Sequence, residues 1–272
     1  DFLARSDGIQ LITVTGSTEV GVRIAEIAAQ NLKKVHMELG GNDALIILAD
    51  ADLEKAATAV VLGRLARGNG QICCAVKRVL VEKPIFDQFA ELLASKARAL
   101  KVGDQLQEDT DVGPLITEQA AKEVEAFVNG AVQAGAKLIA GGKRHGTFFD
   151  PTVLRDVAVD LPLFKEEVFG PVVPLVSFTS IDEAVSIANA SPYGLQSAVF
   201  TQDINKALDI AYRLEAGGVI VNWSSALRVE TLPFGGIKMS GHGREGVHDT
   251  LEEMTDQKTV VVHNAFPPLN AG

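Results

Sequence analysis

The chain has 272 residues, 47% apolar and 22% charged, enough for one large core or two modest ones. A formal net charge of -10 argues against nucleic acid as the main partner, because phosphate binding needs concentrated Lys and Arg; pairs such as Lys33-Lys34 and Lys77-Arg78 are too short to change that. No window approaches the roughly 18 to 20 uninterrupted apolar residues of a membrane span, and "DFLARSDGIQ" has neither the basic start nor the apolar centre of a signal peptide, so a cytosolic, reducing setting is expected.

In chain order, Ile9 to Thr15 reads as a β-branched strand, Gly16-Ser17-Thr18 as a turn, and Glu19 to Asn31 as a helix burying Val22, Ile24, Ala25 and Ala28. "KKVHMELGG" is a second strand that stops at two glycines. A third runs from Ala44 to Leu48, followed by a helix opened by Asp50 or Asp52 and reaching about Arg67. "AVKRVLVEK" is a strand, and Pro84 starts a helix with the stripe Ile85, Phe89, Leu92 and Leu93. Thr117 caps a helix ending at Gly135, ahead of the strand "AKLIA" and the turn Gly141-Gly142. Then come "PVVPLVSF" with a helix from Ile181 to Ala190, "SAVFT" with one from Asn205 to Leu214, and "GVIVNW".

Strands alternating with helices predict an α/β fold with a largely parallel sheet. "KTVVVHN" is a late strand with no helix after it; it suits another subunit's sheet edge and an edge within this chain equally well. "AFPPLNAG" is expected to be poorly ordered.

Four stretches bear on chemistry. "GSTEVG" sits between strand and helix, where N–H groups hold a phosphate: Gly16 permits the turn, Ser17 offers a hydroxyl, and Gly21 lets the helix pack closely. A plain strand-turn-helix corner would look the same locally. Glu38, at a strand end, suits either the ribose-binding acid of a dinucleotide unit or a general base whose burial raises its pKa. "GHGREG", Gly241 to Gly246, satisfies GxGxxG but follows no good strand, and it reads as a coincidence.

The last is "GQICC". Cys73 and Cys74 are the only cysteines; adjacent, they make a strained disulfide, and two without paired His or Cys cannot complete a zinc site. Buried filler and nucleophile both remain open on local grounds. His36 is two residues from Glu38, on the same face of a strand; a contact is possible, and a structural role is the default. There is no GxSxG, and the five histidines show no metal-ligand pairing.

In order, "TGSTEVG", "MELGGND", "GQICCAVKR", "FDPTVL", "EEVFGPVVP", "PYGLQSAVFT", "VIVN" and "LPFGGIKMSGHGREG" resemble the aldehyde dehydrogenase superfamily over nearly the whole chain. The resemblance implies a three-layer catalytic domain with a remnant of a dinucleotide-binding domain. It implies boundaries of 1–37 for the remnant, 38–237 for the catalytic domain, 238–256 for a segment returning to the cofactor domain, and 257–272 for an oligomerisation strand and tail.

It further implies Cys73 as nucleophile with Cys74 a dispensable neighbour, and Glu38 as general base. Gly16, Ser17, Gly21, Leu39, Glu167 and Phe169 would contact NAD or NADP. Phe234 would wall the aldehyde pocket, with Asn222 structural in the loop before it. The chain departs from the family at Ala66 and Gly68, where an aromatic and an Asn are usual, which implies a looser nucleophile loop.

The family's upstream half, with an oxyanion-hole Asn and a ribose-binding Lys, has no counterpart here, so a catalytically incompetent fragment serving folding or assembly is the rival expectation. "ELGGND", "AVKRVLV" and "NWSSALRVETLPFGG" look most like the branch acting on lactaldehyde, phosphonoacetaldehyde and glyceraldehyde 3-phosphate. There Arg228 would pair with an anionic group of a small aldehyde, while Ile72 replaces the Arg of some phosphate-using members. A homo-oligomer of two or four subunits is implied.

Overall fold

A computed structural model describes residues 1–263. A seven-stranded sheet runs, edge to edge, Gly218–Val221, Gln196–Phe200, Asp43–Ile47, Val76–Glu82, Val172–Phe178, Thr152–Arg155 and Lys137–Ala140. Its pairs are parallel except the last, where Lys137–Ala140 lies antiparallel to Thr152–Arg155.

Alternation along the central strands sorts the core into two layers. Leu45, Ile47, Val79 and Val81 face the helices Leu53–Val60 and Phe86–Arg98 through Ala57, Val60, Phe89 and Leu93. Ala44, Ile46 and Leu80 face Ile181–Asn189 and Ile204–Arg213 through Ala184, Ala188, Ala207 and Ile210. This is the α/β, three-layer fold the sequence predicts. Helix Glu118–Gln133 closes a separate cluster with Leu115, Phe149 and Phe164.

Helix starts follow side-chain chemistry. Ser17, Asp52, Thr117, Ser180 and Asp203 each accept a backbone N–H of the first turn. Asp50, the other candidate cap, accepts from the Thr201 hydroxyl instead. The helix after Asp52 is α-helical only to Val60 and then widens into a π-helical turn, Val61–Ala66, which faces Arg64 inward.

A second, three-stranded sheet joins Leu11–Thr15 in parallel to Lys34–Glu38, with Gly241–His242 antiparallel on the far side. Thus a segment near the end of the chain returns to the unit that begins it. "GHGREG" is accordingly no strand-turn-helix unit: its first two residues pair beside Glu38, and Glu245 bridges to Phe234.

Residues 257–263 form no strand with the other described residues, and Val260, Val261 and Val262 are exposed. An edge within the chain is therefore not realised over these residues; Asn264 and "AFPPLNAG" lie outside the described residues. Among the described residues no helix is long and apolar enough to cross a membrane.

Candidate active site

Glu38 ends its strand at the junction of the two sheets, and Gly40-Gly41 carry the chain across. Gly41 has no room for a side chain: a Cβ there would lie 2.8 Å from the Cys73 carbonyl oxygen and 2.9 Å from Leu195 Cβ, while one on Gly40 would displace the end of the Glu167 side chain. The "ELGG" run is thus the close approach that brings a carboxylate beside the cysteine loop.

That loop is tied down through three side chains, Arg64, Asn69 and Gln71. Gly68, Asn69 and Gly70 all adopt positive φ, at 66°, 53° and 71°. Buried Arg64 donates from Nε to Val172 O at 2.8 Å, from Nη2 to Val168 O at 2.9 Å and from Nη1 to Gly70 O at 3.2 Å. Asn69 donates to Gly113 O and Pro114 O, and Gln71 Oε1 accepts from Ile116 N. The looseness expected from Ala66 and Gly68 is not found, because Arg64 and Asn69 pin the turn to neighbouring segments.

The two cysteines differ. The Cys74 side chain is buried and Cys73 is partly accessible. A hydrogen bond from Cys74 outweighs burial and, with the Lys77 ammonium, lowers the Cys73 thiol to about 6. The same bond, together with burial, pushes Cys74 far up and keeps it a thiol. Cys74 is therefore tied to the ionisation of Cys73, which its reading as a dispensable neighbour did not anticipate.

Glu38 is moved the opposite way. Burial, then the charges of Glu245 and Cys73, raise it to about 8 against the pull of Arg228 and Arg244. Two groups with separated affinities for a proton thus stand close enough to feel each other's charge, as acid-base work requires. Phe234, Leu195 and Cys74 form a small apolar cluster against which Ile72 and Cys73 pack.

Lys77 is the functional candidate that sequence reasoning missed. Its buried ammonium reaches the carbonyl oxygens of Ile72 and Cys73 and lies 2.9 Å from Glu167 Oε1, which also accepts from Gly41 N–H at 2.7 Å. The signal was visible: two adjacent charges interrupt an otherwise apolar central strand. They are inward-facing, with Arg78 donating to the carbonyls of Asn42, Ile187 and Ala188.

The residues expected to hold a dinucleotide fit one. Ser17 caps the twelve-residue helix Thr18–Ala29, leaving first-turn N–H groups for an anion. A Cβ on Gly21 would lie 2.5 Å from Leu39, so this glycine sets the helix against "ELGG". Gly16 N–H donates to Glu38 O. Glu167 lies against Gly40 and Gly41, and Phe169 is 42% exposed with the Lys77 ammonium 5.2 Å from its ring.

Two expectations land differently. Arg228 stacks 4.8 Å over the Phe234 ring and forms an ion pair with Glu245, so a resident carboxylate already engages it. Asn222 has a positive φ of 58°, and its side chain accepts from Thr201 N–H at 3.0 Å, a structural role as read.

The fold is an α/β domain that sets a partly accessible cysteine beside a buried carboxylate, next to a capped helix N-terminus. The chain belongs to the aldehyde dehydrogenase family, whose profile matches residues 1–260. It is 45% identical to a lactaldehyde dehydrogenase of Methanocaldococcus jannaschii over 96% of this chain and 56% of that protein. A 3-sulfolactaldehyde dehydrogenase of Priestia megaterium is 42% identical, over 97% of this chain and 54% of the relative.

Solved structures agree. Glyceraldehyde-3-phosphate dehydrogenase GapN from Methanocaldococcus jannaschii, complexed with NADP, superposes with a TM-score of 0.92 at 45% identity, over 96% of this chain and 56% of that one. An NAD-dependent aldehyde dehydrogenase from Sinorhizobium meliloti gives 0.93 at 36% identity, over 97% and 53%. The chain spans about half the length of the relatives it matches.

Proposed function

We propose that the protein oxidises a small aldehyde to a carboxylate, with Cys73 as nucleophile, Glu38 as general base and NAD(P)+ as oxidant. The observation that carries this is the placement of a partly accessible Cys73 beside buried Glu38: the Cys74 hydrogen bond and Lys77 lower Cys73 to about 6, while burial, then the charges of Glu245 and Cys73, raise Glu38 to about 8. At neutral pH Cys73 is then largely thiolate, while Glu38 mostly carries its proton and acts as base through its ionised fraction.

The Cys73 thiolate adds to the aldehyde carbon, giving a thiohemiacetal. Bound oxidised nicotinamide supplies the two-electron acceptor that turns this adduct into a thioester. Gly16, Ser17, Gly21 and Leu39 would seat the pyrophosphate end, and Glu167 and Phe169 the ribose and ring. Glu38 then takes a proton from water, whose oxygen attacks the thioester carbon; the carboxylic acid leaves and the thiolate returns. A buried base with no other task favours hydrolysis over transfer to another thiol.

A 2-hydroxylated or anionic substrate, such as lactaldehyde, is supported by the named relatives and by Arg228, which stacks on Phe234 of the cluster against which Cys73 packs. A substrate anion would compete with Glu245 for that guanidinium. The domain boundaries at 37, 237 and 256, a cytoplasmic setting, and a homo-oligomer joined through the exposed 258–263 segment complete the proposal.

The test follows NAD(P)H formation with lactaldehyde, an anionic aldehyde and a neutral one of similar size. Wild type should turn over and Cys73→Ala should not; Arg228→Leu should lose most on the anionic substrate. Equal losses on all three would remove the anion-binding role, and no NAD(P)H from wild type would favour the incompetent-fragment reading.

A further inference from the structure

Of the six buried side-chain polar atoms without a hydrogen-bond partner among the described residues, three meet at one place: both carboxyl oxygens of Glu38 and Nε2 of His36. Folded proteins leave few such atoms without a reason. His36 and Glu38 alternate along one strand, and Nε2 lies 3.9 Å from Glu38 Oε1 with both side chains almost wholly buried. The other ring nitrogen, Nδ1, is bonded to Glu253, whose second oxygen accepts from Arg244 N–H at 2.8 Å.

Two glycines keep this line open. A Cβ on Gly243 would lie 2.8 Å from His36 Nδ1 and 2.8 Å from Glu253 Oε1, and one on Gly235 would lie 2.8 Å from Glu38 Oε1. Beyond His36, Glu253 is about one-third exposed, and both line an open cavity of about 530 Å³. A row of groups therefore leads from the buried Glu38 carboxyl to solvent.

We propose that His36, oriented by Glu253, is a positioning residue that relieves Glu38 of its proton after each hydrolysis and passes it towards the cavity. This rests on the reading of Glu38 as general base. When water attacks the thioester, one proton moves to Glu38, the C–S bond breaks and sulfur leaves as thiolate. The proton therefore remains on Glu38, which must lose it before the next turnover.

Glu253 supplies the orientation. Burial would raise its pKa, yet hydrogen bonds from His36 and Arg244 N–H hold it below the ordinary carboxylate value. As a carboxylate it accepts from Nδ1–H, which leaves the Nε2 lone pair facing Glu38. Rotation of the Glu38 side chain closes the gap; the proton passes from Oε1 to Nε2, and the imidazolium forms beside Glu253. Its Nδ1 proton then departs by way of the carboxylate, restoring both groups.

Other charges face the pair from each packed element. Arg244 and Glu245 lie in the adjoining loop, Arg228 pairs with Glu245, His242 lies opposite Met37, and Lys34 reaches Thr255 O from the strand start. Among the described residues, only His36 brings a titratable ring within 4.0 Å of the Glu38 carboxyl.

The test uses the full chain and 4-nitrophenyl acetate, which acylates a thiolate without cofactor. Nitrophenolate released in a burst reports acylation, and the steady rate reports hydrolysis. In His36→Gln the burst should be unchanged while the steady rate falls on the order of 10- to 100-fold, and added imidazole should restore part of it. Glu253→Gln, at a partly exposed site, should show a smaller loss of the same kind, which keeps the test open should His36→Gln fold poorly.

Equal steady rates in wild type and both variants overturn the relay alone. Burst and steady rate falling together, without rescue by imidazole, overturn it in favour of a structural histidine. A wild type with no burst overturns the reading of Cys73 beneath it.

Discussion

Lys77 Nζ lies 2.9 Å from Glu167 Oε1 while also reaching the carbonyl oxygen of Cys73, so one ammonium ties the nucleophile loop to the segment "EEVFG". Arg64 makes the same connection from below through Gly70 O and Val168 O. The cysteine and the Glu167 carboxylate are thereby positioned as one unit.

Lys77→Met should disturb both ends of that unit. Its side chain is 1% exposed, so removing the charge leaves Glu167 without its buried partner, a loss of a few kcal/mol. We expect roughly tenfold weaker NAD(P)H binding by fluorescence titration and slower alkylation of Cys73 at neutral pH. Unchanged values in both measurements would show that Lys77 only fills space.

Cys74→Ala removes the hydrogen bond that most lowers Cys73. The rate of Cys73 carboxamidomethylation by iodoacetamide should rise with pH through about 6 in wild type. In the variant the midpoint should move up toward the ordinary thiol range of about 8.5. A midpoint that stays in place would assign the acidity to Lys77 instead.

Asp43 links the site to stability. It is fully buried, one oxygen accepts from Gln196 N–H, the other has no partner, and burial raises it to about 8 against the pull of Lys77. Its folded value lies above its ordinary 3.8, so its contribution to stability is complete below 3.8 and is lost as pH rises toward about 8. The Tm of Asp43→Asn relative to wild type should rise steadily from pH 5 to pH 8, reaching an excess of several degrees near pH 9. Parallel Tm curves across that range would contradict the assignment.

Much of this was legible in the sequence. Capping residues such as Thr117 and Asp52 located helix starts, and the short continuous apolar runs "ALIIL" and "VLV" located central strands, because both signals are local. The helix expected to reach about Arg67 stays helical to Ala66, but its widening at Val61 was not legible because it depends on where Arg64 must go. The tail segment 258–263 reads as a strand by β-branching, yet a strand needs a partner, and this chain supplies none among the described residues.

At the site, family motifs pointed to Cys73 and Glu38, while their electrostatic partners stayed hidden. Lys77 and Arg78 stood out as two charges within an apolar strand, but only the fold shows which carbonyls and carboxylate they meet. His36 to Glu253 spans 217 residues, a separation no local pattern reveals.

The most direct test of the account is the acyl-enzyme. Wild type and Glu38→Gln would be mixed with NAD(P)+ and lactaldehyde, quenched, and read by intact and peptide mass spectrometry. The account predicts one equivalent of NAD(P)H and a persistent acyl adduct on Cys73 in Glu38→Gln, with no adduct accumulating in wild type. An adduct on Cys74, or hydrolysis as fast in Glu38→Gln as in wild type, would contradict it.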